Sequence, residues 1–206
     1  MRSKDHWEKV YSTKPTDSVS WFQEHADLSL DLIRATGMSK DAGLIDVGGG
    51  ASTLVDDLRT DGYSDLTVLD LSDAALGAAR KRLGDAEKNV RWIVSDITEV
   101  DLPAKRYDIW HDRAVFHFLT TPEQRAAYVR TVFRSVKPGG HVIVAAFAEN
   151  GPLECSGLPV MRYRSDELHE QFGESFQLLA HCTEQHHTPS GKVQPFVYCY
   201  CRLRPS

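Results

Sequence analysis

The chain has 206 residues, with 24 Lys plus Arg against 29 Asp plus Glu, a formal net charge of −5 and 41% hydrophobic residues. This is ordinary globular composition with enough apolar material for one substantial core, so a mainly disordered chain is excluded. The mildly acidic balance argues against nucleic acid as the dominant partner, and no stretch approaches the ~18 apolar residues of a membrane span.

The segment Met1-Arg2-Ser3-Lys4-Asp5-His6-Trp7 has no apolar run and does not read as a secretory signal. Residues 5 to 36 read as two helices. Gly43-Leu44-Ile45-Asp46-Val47 is a short apolar run that ends in glycines. Leu66–Asp70, Val90–Val94, Tyr107–His111 and His141–Phe147 are further runs rich in β-branched and aromatic residues, as buried strands require. Helical segments separate them. Ser52–Arg59 sets Leu54, Val55 and Leu58 on one face, and Asp73–Leu83 follows Ser72 as N-cap. A third helix opens at Thr121-Pro122-Glu123 and runs to about Val136, where Lys137-Pro138-Gly139-Gly140 stops it.

After Gly151 the rhythm changes. Tyr163–Phe172 reads as a helix with Ser165 as cap. Ser175–His187 and Gln194–Leu203 read as long strands around the turn Pro189-Ser190-Gly191-Lys192, so they must be antiparallel. The predicted fold class is α/β: a mostly parallel sheet between helical layers, finished by an antiparallel hairpin. One domain spans 1–206, with a helical lid at 1–40, a core at 41–147 and a substrate loop plus hairpin at 148–206. The four cysteines, Cys155, Cys182, Cys199 and Cys201, show no CxxC spacing. Reduced thiols and a cytoplasmic location are the expectation.

The most informative segment is Leu44-Ile45-Asp46-Val47-Gly48-Gly49-Gly50-Ala51-Ser52: strand, glycine turn, helix. Ligands bind at the carboxyl ends of such strands, and glycine lets the backbone approach them. A dinucleotide fingerprint would need a third glycine where Thr53 stands. A P-loop would need a lysine that is absent. An S-adenosylmethionine loop has an acid at the strand end and small residues at alternate positions, and Asp46, Gly48, Gly50 and Ser52 fit it without a gap.

With these residues the chain resembles the class I (Rossmann-like) S-adenosylmethionine-dependent methyltransferases, the methyltransferase-like group among them. Asp46 to Ser52, Gly49 included, matches the family's first motif. Asp70, in Val68-Leu69-Asp70-Leu71-Ser72, matches its ribose-binding acid. Ser95-Asp96-Ile97 matches the place where an Asp meets the adenine amino group, and Lys137-Pro138-Gly139-Gly140 is a further hallmark. The resemblance implies a sheet of order 3-2-1-4-5-7-6 and contacts to the cofactor from Asp46, Gly48, Gly49, Gly50, Ser52, Asp70, Leu71, Asp96 and Ile97. It also implies an N-terminal lid bearing Trp7, Tyr11 and Trp21, whose aromatic faces can hold a cation.

The transferred methyl should sit beyond Tyr107-Asp108-Ile109-Trp110-His111-Asp112-Arg113. Positioning supplies much of the rate of an in-line displacement, and a base helps where the acceptor carries a proton. His111, Asp112 and His117 are the catalytic candidates, and Arg113 and Phe116 the substrate-side ones. Asp112-Arg113 stands where lysine methyltransferases of the methyltransferase-like group carry an Asp-Lys pair, but Ala114-Val115-Phe116-His117-Phe118 departs from that group's pattern. The Asn/Asp-Pro-Pro-Tyr/Phe signature of nucleic-acid and glutamine methylation is absent. The reading is an enzyme acting on a small-molecule N, O or S nucleophile, as monomer or homodimer, without nucleic acid, membrane or metal. A protein lysine acceptor is the first alternative. A non-catalytic cofactor-binding module is the second, since fold alone never proves activity. His181–His187 lacks the compact spacing of a zinc site, and Cys155 has no evident paired base.

Overall fold

The computed structural model describes residues 2–205. Two helices come first, α1 (Arg2–Thr13) and α2 (Asp27–Ala35), joined by an irregular strap. Then follow β1 (Leu44–Val47), α3 (Leu54–Thr60), β2 (Leu66–Asp70), α4 (Asp73–Leu83), β3 (Val90–Val94), β4 (Tyr107–Arg113), α5 (Pro122–Ser135) and β5 (Val136–Phe147). The last elements are α6 (Ser165–Glu170), β6 (Phe176–His187) and β7 (Val193–Leu203). A small two-stranded ribbon, Glu154–Cys155 against Leu158–Pro159, lies between β5 and α6.

The seven strands form one sheet of order β3-β2-β1-β4-β5-β7-β6. The first five pair in parallel, and β7 runs antiparallel to both β5 and β6. This is the predicted architecture, down to the hairpin.

Three boundaries differ from the sequence reading. The Lys137-Pro138-Gly139-Gly140 stop lies within the span of β5, where Val136 pairs with Tyr107 and regular pairing resumes at His141 opposite Ile109. Pro138 has no N–H for the ladder, so the tetrad is carried as an irregularity. Ser165 is the first residue of α6 rather than its cap, and the Arg164 N–H is taken by the Glu167 carboxylate. Ser52 lies ahead of α3, where its hydroxyl accepts the Leu54 N–H. Ser72 does cap α4, accepting from the Ala75 N–H at 3.1 Å.

Alternation along buried strands divides the core. Ile45, Val47, Trp110, Val142 and Val144 pack on one face, with Tyr128 and Val132 of α5 and Leu168 of α6. Leu44, Val68, Ile109 and Ile143 pack on the other, with Leu30 and Ile33 of α2 and Leu54 and Leu58 of α3. The parallel strands β1, β2 and β4 end together, and the loops beyond them are covered by α1 and the strap.

Candidate active site

Two adjoining cavities lie beyond the carboxyl ends of the parallel strands. The larger is lined by Gly48 from the β1 loop, Asp70 and Leu71 from the end of β2, and Ser95, Asp96, Ile97 and Thr98 from the end of β3. Its roof is Trp7, Tyr11, Trp21 and Phe118, with Arg113, Ala114, Val115 and Cys155 beside them. It encloses about 950 Å³, mouth included, which is within the range of small-molecule and cofactor sites. The second runs along the glycine loop, past Asp46, Gly48, Gly49 and Ser52 to Gln23, His111 and Arg113. Trp21, Tyr11, Gly48 and Arg113 line both.

Two glycines of the loop are required by space. Gly48 has φ +71, and a Cβ there would run into Val115 Cγ2. Gly50 has φ +22, and a Cβ there would strike Asp70 Oδ2. The loop is thus pressed against the acid at the end of β2, which only glycine permits.

Asp70 is buried. Its Oδ1 accepts the Ser72 N–H at 2.8 Å. Burial pushes its carboxyl up to about 7; the Ser72 N–H opposes this and the Asp46 charge adds to it. Asp96 Oδ1 accepts the backbone N–H and the hydroxyl of Thr98, which fixes its carboxylate at the cavity wall.

The roof is an edge-to-face aromatic cluster. Trp7 meets Trp21 at 5.5 Å and Phe118 at 5.2 Å between ring centres. Trp21 Nε1 donates to the Tyr11 hydroxyl at 3.1 Å, and burial raises the Tyr11 pKa well above its ordinary value. The Glu8 carboxylate accepts the Asp73 and Ala74 N–H groups at the start of α4, fastening α1 down. On the other side His6 Nε2 lies 3.4 Å from the Ser156 hydroxyl of the ribbon loop. Glu8 has no sequence signal, because its partners lie 65 and 66 residues away.

The structure places the catalytic candidates and Phe116 as follows. His111 and Asp112 are neighbours in β4, so their side chains leave opposite faces of the sheet. His111 packs under the glycine loop, where its Nδ1 donates to Asp46 Oδ1 at 2.7 Å and its Nε2 lies 2.9 Å from Ser29 Oγ. Both ring nitrogens are engaged, so it is not poised as a base. Asp112 points the other way: it accepts the Val115 N–H at 2.9 Å and the Tyr128 hydroxyl at 2.7 Å. Burial pushes its carboxyl up to about 6 against the pull of the Tyr128 hydroxyl, but it lines neither cavity.

His117 is buried between Phe118 and Phe147 and is pushed down to about 3 by burial, then by the Arg113 charge. It is a neutral core histidine. Phe116 is fully buried against Tyr128, Tyr163 and Phe172 and lines neither cavity. Gly50 acts through the close approach to Asp70, not as a wall of either cavity.

Alternation in β6 turns Cys182, Glu184 and His186 inward and leaves His181, Thr183, Gln185 and His187 exposed. Glu184 meets Arg113, and His186 meets the Ser20 carbonyl at 2.7 Å. Among the described residues no group of three or more His, Cys, Asp or Glu is arranged to hold a metal ion, and the four cysteines are unbridged. Cys155 faces the larger cavity as a thiol whose pKa burial pushes up to about 11. No helix among the described residues is long and apolar enough to cross a membrane.

Residues 44–140 match a methyltransferase domain family. A solved N-methyltransferase, NodS of Bradyrhizobium japonicum with S-adenosyl-L-homocysteine, superposes with a TM-score of 0.71 at 15% identity, covering 97% of this chain and 99% of that one. Residues 44–140 thus form a methyltransferase domain, and the chain has the fold of the class I S-adenosylmethionine-dependent methyltransferases.

Among curated relatives, this methyltransferase is 26% identical over 160 residues to EEF1A lysine methyltransferase 2 of Danio rerio, covering 71% of this chain and 69% of that protein. It is 23% identical over 141 residues to the eEF1A lysine and N-terminal methyltransferase of Mus musculus, covering 68% of this chain but only 20% of that protein. It is 25% identical over 178 residues to malonyl-[acyl-carrier protein] O-methyltransferase 1 of Ilyobacter polytropus, covering 81% and 64%.

The cofactor of the family is S-adenosylmethionine, and the residues present suit it. A buried carboxylate at the end of β2, Asp70, and a half-buried one just beyond β3, Asp96, can accept hydrogen bonds from hydroxyl or amino groups. At Gly48, Gly49 and Gly50 the loop after β1 admits no Cβ, and aromatic faces complement a sulfonium.

Proposed function

We propose that this methyltransferase transfers the cofactor's methyl group to a small-molecule nucleophile, on nitrogen, oxygen or sulfur. The observation that carries this is the larger cavity, with Asp70 and Asp96 at one end and Trp7, Tyr11, Trp21 and Phe118 roofing the other.

Asp70 would accept the ribose hydroxyls and Asp96 the adenine amino group, with Leu71 and Ile97 against the apolar faces of the nucleoside. Gly48, Gly49 and Ser52 would bound the methionine end, while Asp46, held by His111, keeps the loop in place. The bound cofactor supplies an electrophilic methyl on a sulfonium. The chain's part is to hold the acceptor in line and to exclude water, which α1 and the ribbon loop do by closing on each other.

Apart from Asp70 and Asp96 the larger cavity's wall carries no carboxylate and no imidazole. Proton removal by a side chain at the methyl end is therefore not part of this reading, and acceptors with an available lone pair are favoured.

A protein lysine acceptor is the second reading. It is favoured by the two relatives named as lysine methyltransferases. The residues after Asp112-Arg113 and the closed roof favour the small molecule.

The test is S-adenosylhomocysteine release with amines, thiols, phenols, carboxylates and a protein extract. Turnover with one small-molecule class supports the first reading, and label found in protein alone replaces it by the second. Cofactor binding without turnover on any acceptor would point to a binding module.

A further inference from the structure

Arg113 is the one Lys or Arg that lines either cavity among the described residues, and it lines both. The other charged groups on those walls, Asp46, Asp70 and Asp96, are carboxylates. A ligand carboxylate anywhere in this space therefore has one cationic partner available.

The guanidinium is held from behind. Its Nε donates to the Tyr198 hydroxyl at 3.1 Å and to Glu184 Oε2 at 3.3 Å. Nη2 donates to Glu184 Oε2 at 3.1 Å and Nη1 to the Trp21 carbonyl at 3.3 Å. Glu184 is itself fixed by the Tyr198 hydroxyl and by Gln23 Nε2. The guanidinium also lies on the Phe196 ring, 4.3 Å from its centre. Of five N–H donors these contacts occupy three, leaving one on each terminal nitrogen without a protein acceptor. Two donors on the two terminal nitrogens match the two oxygens of a carboxylate. Glu184 lines neither of the two cavities, so the charge offered to them is positive.

We propose that Arg113 is a carboxylate anchor, and that the carboxylate it holds is that of the cofactor's methionine end. This rests on the cofactor assignment. The second cavity, which runs from Gly48 along Gly49 and Ser52, shares Tyr11, Trp21, Gly48 and Arg113 with the first, so Arg113 stands where the two adjoin. The substrate role read from the sequence is thereby moved to the cofactor. Glu184, Tyr198 and Gln23 become positioning residues, and through Glu184 the β6–β7 hairpin contributes to cofactor binding.

Calorimetry with two ligands tests this: S-adenosylhomocysteine, which has the methionine carboxylate, and 5′-methylthioadenosine, which lacks it. Both should bind the wild-type protein, and failure of both would overturn the cofactor assignment itself. Arg113→Gln should weaken S-adenosylhomocysteine on the order of 10- to 100-fold, as loss of a charge-assisted pair does, and leave 5′-methylthioadenosine within twofold. Glu184→Gln should give a smaller loss, of the same selectivity. Unchanged S-adenosylhomocysteine affinity in Arg113→Gln, with a raised KM for carboxylate acceptors only, would assign the anchor to the acceptor and overturn the proposal. Equal weakening of both ligands would mark Arg113 as merely structural and overturn it too.

Discussion

The Glu8 carboxylate accepts the Asp73 N–H at 2.7 Å, so a side chain of α1 completes the capping of α4. Together with Ser72 it satisfies three N–H groups that the helix cannot bond itself. Trp7 and Tyr11 are thereby held over the end of β2. Glu8→Ala should remove roughly 1 kcal/mol from this closure, about fivefold in S-adenosylhomocysteine affinity. Amide exchange should accelerate in α1 and not in the sheet, and unaltered protection of α1 would refute the latch.

Cofactor affinity should depend on pH through Asp70. Its carboxyl is pushed up to about 7 by burial, and hydroxyl donors require the ionised form. Below about pH 7 the proton must leave before the ligand binds, so affinity should fall up to tenfold per pH unit and level off above it. Calorimetry in buffers of different ionisation enthalpy should register proton release on binding. No release at pH 6.5 would remove Asp70 from the contact.

The same group sets a stability trend. Asp70 and Asp112 titrate near 7 and 6 in the folded chain against 3.8 as the ordinary value. The folded protein therefore binds more protons across that interval, and these two groups lower its stability as pH rises from about 4 to 7. Asp70→Asn should raise the cofactor-free Tm at pH 8 while weakening cofactor binding, an exchange of stability for function.

Asp112 should prove structural. Asp112→Ala would leave the Val115 N–H and the Tyr128 hydroxyl without their partner in the interior, at a cost of roughly 3 kcal/mol. Asp112→Asn keeps an acceptor and should cost less. Thermal melts would rank the two. A lost limb in the pH–rate profile of a stably folded Asp112→Asn protein would instead restore its catalytic role.

Gly50→Ala should damage cofactor binding more than folding. Its Cβ would be driven against Asp70 Oδ2 at a φ of +22, so the acid must turn away. A Kd raised at least tenfold with Tm lowered by only a few degrees is the expected pair of results, measured by calorimetry and melting.

The sheet was legible because buried parallel strands are short continuous apolar runs, and each here ends in a residue that breaks the run. That Asp70 and Asp96 line a cavity was legible because strand ends in this architecture gather at one edge of the sheet. Where the side chains of His111, Asp112 and Phe116 lie was not legible, for one shared reason. Nearness in sequence to the end of β4 does not say where a side chain points, and alternation carries 111 and 112 into opposite layers. Arg113 was seen, but its partner Glu184 lies 71 residues on, beyond any local pattern. The lid latch of Glu8 was hidden in the same way.

The order of strands also bears on how the molecule is made. β7 is the last strand in sequence, yet it sits inside the sheet, between β5 and β6. While the ribosome is still covering residues 193–203, β5 has a bare edge and β6 has no neighbour. Glu184 then also lacks the Tyr198 hydroxyl that helps hold it against Arg113. The nucleotide half of the site can form on the emerging chain, but the Arg113 corner waits for translation to pass Leu203. A stalled or truncated chain would expose an apolar strand edge rather than a slow enzyme, and would be a target for chaperones or proteases.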